Sequence, residues 1–77
     1  MKYTKKQGQY LSYMYYYRKL NKQSPAHADF QKYFNTNPAS VNNMLKILER
    51  KKFIEREAGK ARSIKLLIER EYLPELD

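Results

Sequence analysis

The strongest constraint on the fold is the segment from His27 to Lys46, which contains two helical patterns separated by a short polar turn. Apolar residues recur at helical spacing on both sides of the turn, before it at Ala26, Phe30, Tyr33 and Phe34 and after it at Val41, Met44, Leu45 and Leu48. Asn35 suits the left-handed conformation that often follows a helix. Asn37-Pro38 supplies a capping side chain and a proline for the first helical position. The segment therefore predicts two short helices packed across a tight turn.

A longer helix is predicted before this segment. It begins at a capping box formed by Thr4 and Gln7 and ends near Asn21. Its predicted core face holds Tyr10, Leu11, Met14 and Tyr17, with Tyr13 and Leu20 at the edge of that face. Because Pro25 biases the preceding residue toward extended geometry, we expect a short strand-like segment at Ser24.

The apolar period changes from helical to alternating after the third helix. Residues 53–58 and 63–68 predict two strands with a loop at Gly59–Arg62, and the residues expected to face inward are Ile54, Ile64, Leu66 and Ile68. The predicted fold is α+β, a winged helix-turn-helix with three helices and a small antiparallel β-hairpin wing. We expect one domain over residues 1–68, followed by an acidic C-terminal tail over residues 69–77.

Charge is distributed unevenly along the chain. Residues 1–68 contain 15 lysines and arginines against four acids, a net of +11, whereas residues 69–77 carry a net of −3. A basic body favours a polyanionic partner, with nucleic acid ahead of an anionic membrane surface. The alternative is a basic surface that serves only solubility.

The composition also excludes several classes of protein. The chain has no cysteine and one histidine, so thiolate and multi-histidine metal sites are excluded. We expect no signal peptide, no membrane-spanning segment and no cofactor, and we expect a cytoplasmic, nucleoid-associated location. No small-molecule ligand is inferred from the sequence. The acids are scattered and His27 has no evident partner, so the sequence does not suggest an enzyme.

The outer face of the third helix is the main candidate site. Asn42 and Asn43 lie near its start, and an asparagine can pair with adenine through two hydrogen bonds in the major groove of DNA. Ala39 and Ser40 are small enough to allow close approach. Two adjacent asparagines are poor helix formers, which favours a functional role over a merely solvated face. Four cations and the single histidine are expected to contact the DNA backbone. They are Lys46 and Arg50 on the third helix, Lys60 and Arg62 on the wing, and His27 at the start of the second helix.

With these residues assembled, the chain resembles the N-terminal DNA-binding domain of the LexA repressor family over nearly its whole length. Three segments carry the resemblance: Tyr3-Thr4-Lys5-Lys6-Gln7, Leu45 to Glu55, and Ala61 to Leu67. The second is similar to the family's Leu-Lys-x-Leu-x-Arg-Lys-Gly-x-Ile-Glu. The resemblance implies base contacts at Asn37, Ala39, Ser40, Asn42 and Asn43.

The departures from that family alter what is expected. Asn42 and Asn43 stand where the family has glutamates, and Ala39 stands where it has an asparagine. The target is therefore expected to shift toward A·T content, because glutamate accepts from cytosine and asparagine prefers adenine. The family's self-cleaving peptidase half, which also dimerises, has no counterpart in these residues. The chain is thus either a separate small regulator or a fragment.

Two functions remain open from the sequence. The first is a sequence-specific double-stranded DNA binder that regulates transcription, expected to repress and to pair as a weak homodimer on DNA. The second is a winged-helix protein-interaction module that uses the tyrosine-rich first helix. Eight tyrosines are many for this length, and three of them exceed what the predicted core face needs: Tyr13, Tyr15 and Tyr16.

Overall fold

The computed structural model describes residues 2–77 and has the predicted α+β winged helix-turn-helix architecture, a helical core followed by a β-hairpin wing. Its elements are α1 (Lys5–Asn21), α2 (His27–Phe34), α3 (Pro38–Arg50), β1 (Ile54–Glu55) and β2 (Lys65–Leu66), followed by a 3-10 turn at Arg70–Tyr72. No helix among residues 2–77 has the length and apolarity needed to cross a membrane.

Local caps define these helix ends, as the sequence predicted: side chains cap the starts of α1 and α3, and the backbone of Asn35 ends α2. In α1, the Thr4 hydroxyl accepts from the Gln7 backbone N–H at 3.1 Å, and the Gln7 side chain accepts from the Thr4 N–H at 3.0 Å. Asn35 ends α2 in the left-handed region with a φ of 50°. Asn37 then caps α3 by accepting from the Ser40 N–H at 2.8 Å. These caps satisfy backbone groups that have no partner within the helix.

The wing has shorter strands and a longer loop than predicted. Only Ile54 with Leu66 and Glu55 with Lys65 pair as antiparallel strand residues. The predicted strands over residues 53–58 and 63–68 were therefore too long. Two residues beyond Glu55, the Ser63 hydroxyl accepts from the Glu57 N–H at 2.9 Å and donates to the Glu57 carbonyl at 3.2 Å, so a side chain takes the place of main-chain pairing there. We call residues 54–66 the wing.

The short strand expected at Ser24 is absent from the described residues, where the sheet contains only β1 and β2. Pro25 has no N–H to donate to a neighbouring strand. The carbonyl of Ser24 instead accepts from the Arg62 guanidinium at 3.0 Å. A side chain thus takes the place of a strand partner.

The core lies between the three helices and the inner face of the wing. Tyr10 stacks on Phe30 and Phe34 with ring centroids 5.3 and 4.3 Å away. The residues with less than 2% of their surface exposed include Leu11, Val41, Leu45, Leu48 and Ile54. Met44 and Leu66 are half-buried against this core, and Leu20 is 79% exposed.

Tyr13 belongs to the core, which corrects the prediction that it is surplus to the core face. It is 9% exposed and contacts the rings of Phe30 and Tyr33 at centroid distances of 5.3 and 4.4 Å. Burial, reinforced by the charge of Asp29, raises the pKa of Tyr13 to about 12. The aromatic side of α2 covers this part of α1, so Tyr13 is unavailable to a partner.

The acidic segment 69–77 packs along α1. The Ser12 hydroxyl donates to the Pro74 carbonyl at 2.7 Å. The Gln9 side chain donates to the Glu75 carbonyl and accepts from the Asp77 N–H, both at 2.8 Å. Leu73 and Leu76 pack against the core. These hydrogen bonds from α1 are all made to main-chain atoms of the segment, so they hold its backbone against the helix.

Candidate nucleic-acid interface

The outer face of α3 presents a row of side chains opposite a fully buried stripe. Val41, Leu45 and Leu48 are 0% exposed and face the core. On the opposite side, four exposed residues follow the i, i+4, i+7, i+11 spacing that aligns side chains along one helix face: Ala39, Asn43, Lys46 and Arg50. We call these four residues the α3 row. The structure therefore brings four of the predicted site residues onto one accessible line.

Asn42 lies beside this row and faces the wing. It is half-buried and lines a groove of about 660 Å³ between the helix-turn-helix and the wing, together with His27, Arg56 and Lys60. The two adjacent asparagines thus have different surroundings. Asn43 stands on the exposed row, whereas Asn42 points into the adjoining groove.

Asn37 and Ser40 are exposed at the start of α3 and are linked to each other. The Asn37 carboxamide oxygen accepts from the Ser40 backbone N–H at 2.8 Å. Two-pronged pairing with adenine requires both the oxygen and the nitrogen of an asparagine side chain. Asn37 can therefore offer its NH₂ group to a base while it keeps the cap, whereas a bidentate contact requires the cap to break.

Arg62, in the loop of the wing, is held by internal contacts. Its guanidinium lies 3.2 Å from the Asp29 carboxylate and donates to the Tyr17 hydroxyl and the Ser24 carbonyl, both at 3.0 Å. The hydrogen bond to Tyr17 raises the pKa of Arg62. A role for Arg62 in contacting the DNA backbone remains a prediction, but in this structure its cation fastens the wing to α1 and α2.

Lys60 lies further out on the wing. Its ammonium pairs with the Glu57 carboxylate at 3.4 Å, and both side chains are about two-thirds exposed. An ion pair this exposed contributes little to stability, so the Lys60 ammonium can leave Glu57 and pair with another anion. Of the two predicted wing cations, Lys60 is therefore the one that remains available at the surface.

Arg56 is a part of the site that the sequence did not identify. Its Nε donates to Glu49 of α3 at 3.1 Å, and its Nη1 lies 3.4 Å from the Nε2 of His27 on α2. Arg56 is the more buried member of its ion pair, with 17% of its side chain exposed. It joins the wing to both helices of the helix-turn-helix. No local pattern distinguishes it from the other charged residues of the wing.

Each of the four acids in residues 2–68 lies within ion-pair distance of a cation. Glu49 and Asp29 pair with arginines, and Glu55 and Glu57 pair with lysines of the wing. Lys46 and Arg50 form no ion pair within residues 2–77. The α3 row therefore contains no acid and carries two cations without an internal counter-charge.

The chain matches no protein-family model, and no curated protein is significantly similar to it. Residues 2–77 also contain no group of three histidine or acidic side chains that could hold a metal ion. The functional interpretation consequently depends on the geometry of the site.

Proposed function

We propose that this chain is a sequence-specific double-stranded DNA-binding protein that regulates transcription as a repressor. In this proposal, α3 enters the major groove and the wing lies along the neighbouring backbone. A helix-turn-helix places its second helix in this way, with its N-terminal residues nearest the base edges. The protein is accordingly proposed to be cytoplasmic and nucleoid-associated.

The single observation that carries the proposal is the α3 row. A small residue and an asparagine come first along the helix, and two cations follow, on a face with no acid. Base contact is expected from Asn43 at the front of the row. Phosphate contact is expected from Lys46 and Arg50 further along, because their cationic side chains can pair with the DNA backbone. Such contacts set the position of the protein on DNA without carrying sequence information.

The distribution of charge supports the same proposal. Every acid of residues 2–68 has a cationic partner, so the net positive charge of the body comes from the remaining cations. Phosphate neutralisation by such cations releases counterions and provides most of the non-specific affinity for DNA. The resemblance to the LexA DNA-binding domain supports a repressor role, and Asn42 and Asn43 support a preference for A·T-containing sites.

The alternative proposal, a protein-interaction module built on the tyrosines of α1, has less surface available than the sequence suggested. Tyr10 and Tyr13 are buried, and Tyr17 accepts a hydrogen bond from Arg62. Tyr15 and Tyr16 are half-buried and contact each other edge to face. The exposed Leu20, one turn beyond Tyr16, is the observation that still favours a small interaction patch on α1.

The proposal is tested by selecting bound duplexes from a random pool, sequencing them, and measuring affinity for the selected and for random DNA. Asn42→Ala and Asn43→Ala should weaken binding to the selected sequence by about 1–3 kcal/mol and leave binding to random DNA nearly unchanged. Lys60→Ala should weaken binding to all duplexes alike. Asn21→Ala, at an exposed asparagine at the end of α1, is the matched control and should have no effect.

Equal losses on selected and random DNA for both α3 asparagine variants would show that α3 does not contact bases. An unselective pool with no enriched sequence would contradict sequence specificity itself.

We also propose that the free protein is monomeric and pairs only on adjacent half-sites, because one small module buries little surface on DNA. Sedimentation with and without a duplex that carries an inverted repeat tests this. A tight dimer without DNA that Tyr16→Lys disrupts would support the interaction surface on α1 instead.

A further inference from the structure

A second groove lies on the other side of the wing, between α1 and β2. Its volume is about 690 Å³, within the usual range for small-molecule sites. Its floor is apolar and includes Met14, Leu66 and Ile68, and its rim is cationic and includes Arg18, Lys19, Lys65 and Arg70. We call this the α1–wing groove. Sequence patterns do not predict this groove, because α1 and β2 are far apart along the chain.

The rim has an excess of positive charge, because among its four named cations only Lys65 lies within ion-pair distance of an acid in the described part of the chain, Glu55 at 3.9 Å. No aspartate or glutamate of residues 2–77 lines the groove. Lys19 Nζ and Arg70 Cζ lie 5.9 and 5.7 Å from the centroid of the same ring, that of Tyr15. Arg18, Lys19 and Arg70 form no ion pair within the described residues. These cations have no acidic partner, so a bound anion would gain attraction from several of them at once.

The floor determines what kind of anion fits. Met14 and Ile68 are nearly buried, at 3% and 6% exposed, so the apolar surface still open to water comes from the half-buried Tyr15 and Leu66 beside them. An inorganic anion would neutralise the rim and leave this surface in contact with water. An anion with an apolar body covers the floor and pairs with the rim at the same time.

We propose that the α1–wing groove binds a small organic anion, a carboxylate attached to an aromatic or alkyl body. This site is separate from the proposed DNA surface. The groove beside α3 and the α1–wing groove share only Arg62, Ser63 and Ile64, which lead from the loop of the wing into β2. The proposal is therefore independent of whether α3 contacts DNA, and both can be tested on the free protein.

The test uses naphthoate as the probe and follows the methyl resonances of Met14 and Leu66 by NMR. Two related molecules each lack one of the required features: naphthalenemethanol has the apolar body without the charge, and acetate has the charge without the body. Naphthoate should cause saturable shifts at both methyl groups, and the other two molecules should bind at least about tenfold more weakly, a difference near 1.4 kcal/mol. If the shifts at these methyl groups do not saturate with naphthoate, or if naphthalenemethanol binds equally well, the proposal is overturned before any variant is made.

Variants locate the site. Arg18→Gln combined with Lys19→Gln removes two rim cations from exposed positions of α1 and should weaken naphthoate binding by roughly three- to tenfold. Lys5→Gln combined with Lys6→Gln makes the same change in charge on the same helix, outside the groove, and should leave the affinity within about twofold. Equal weakening in the two double variants would mean that the anion responds to net charge alone, which would also overturn the proposal.

Discussion

Gly8→Ala should destabilise the protein, although alanine is normally the better residue within a helix. By helix propensity alone, replacing glycine with alanine in a helix interior stabilises the protein by about 1 kcal/mol. A Cβ at position 8, however, would lie 2.8 Å from Tyr3 Cε1 and 3.0 Å from Pro74 Cγ. Ordinary carbon–carbon contacts are about 3.5–4.0 Å, so both neighbours would have to retreat by roughly 0.5–1 Å.

Neither neighbour is free to move. The Tyr3 hydroxyl donates to the Tyr72 carbonyl, and its ring packs edge-on against Phe53 at 6.2 Å between centroids. Pro74 is held through its carbonyl by Ser12. Overpacking of this kind costs about 1–3 kcal/mol, so a net loss of roughly 0–2 kcal/mol is expected. A loss of 1 kcal/mol corresponds to a fall in Tm of about 4–8 °C for a domain of this size.

Urea and thermal unfolding followed by circular dichroism measure this change. The control is the same exchange in a chain that carries Tyr3→Ala and Pro74→Ala, where both obstructing side chains are removed and Gly8→Ala should stabilise by about 1 kcal/mol. A rise in Tm for Gly8→Ala in the otherwise unaltered chain would refute the close approach of Tyr3 and Pro74 to α1.

Three further predictions concern the acidic segment, a buried tyrosine and the charge of the body. Deletion of residues 69–77 should lower the Tm of the remaining domain, because it removes the packing of Leu73 and Leu76 and the hydrogen bonds to Gln9 and Ser12; an unchanged Tm would show that the segment contributes nothing to the fold. Burial raises the pKa of Tyr13 from 10.0 to about 12, so the folded state binds the phenolic proton more tightly than the unfolded state does. The resulting contribution to the free energy of unfolding is complete below pH 10 and is lost as the pH rises toward 12. Tyr13→Phe should therefore reduce the slope of the free energy of unfolding against pH between pH 10 and 12. An unaltered slope would contradict the raised pKa of Tyr13. DNA affinity should fall steeply with salt, with a log–log slope of about −0.9 for each neutralised phosphate, and a flat salt series would remove the electrostatic basis for DNA binding.

The ends of the helices were predictable because the groups that determine them are close in sequence. Thr4 and Gln7 satisfy each other's backbone, and Asn37 satisfies the N–H three residues further on. The buried stripe of α3 was equally predictable, since its position follows from helical periodicity alone. From that stripe, the exposed position of Asn43, Lys46 and Arg50 on the opposite face also follows.

The wing shows where local information was insufficient. The alternation around Ile54 and Ile64 predicted two strands correctly, but the pairing ends after two residues on each side. At Glu57 the Ser63 hydroxyl bonds both main-chain groups in place of a strand partner, and Arg62, next to it in the loop, adopts a positive φ of 54°. Arginine rarely adopts such an angle without tertiary contacts, and Arg62 has those contacts in Asp29 and Tyr17.

The sequence by itself determined the three helices, the turn between α2 and α3, the hairpin, and the uncompensated positive charge of the body. These depend on composition, on periodicity, or on groups within a few residues of one another. Only the tertiary structure decided that Tyr13 is buried, that Arg62 fastens the wing to Ser24 across 38 residues, and that Ser12 holds Pro74 across 62. Such contacts depend on which surfaces meet after the chain folds, and many pairings of similar polar residues satisfy the same local pattern.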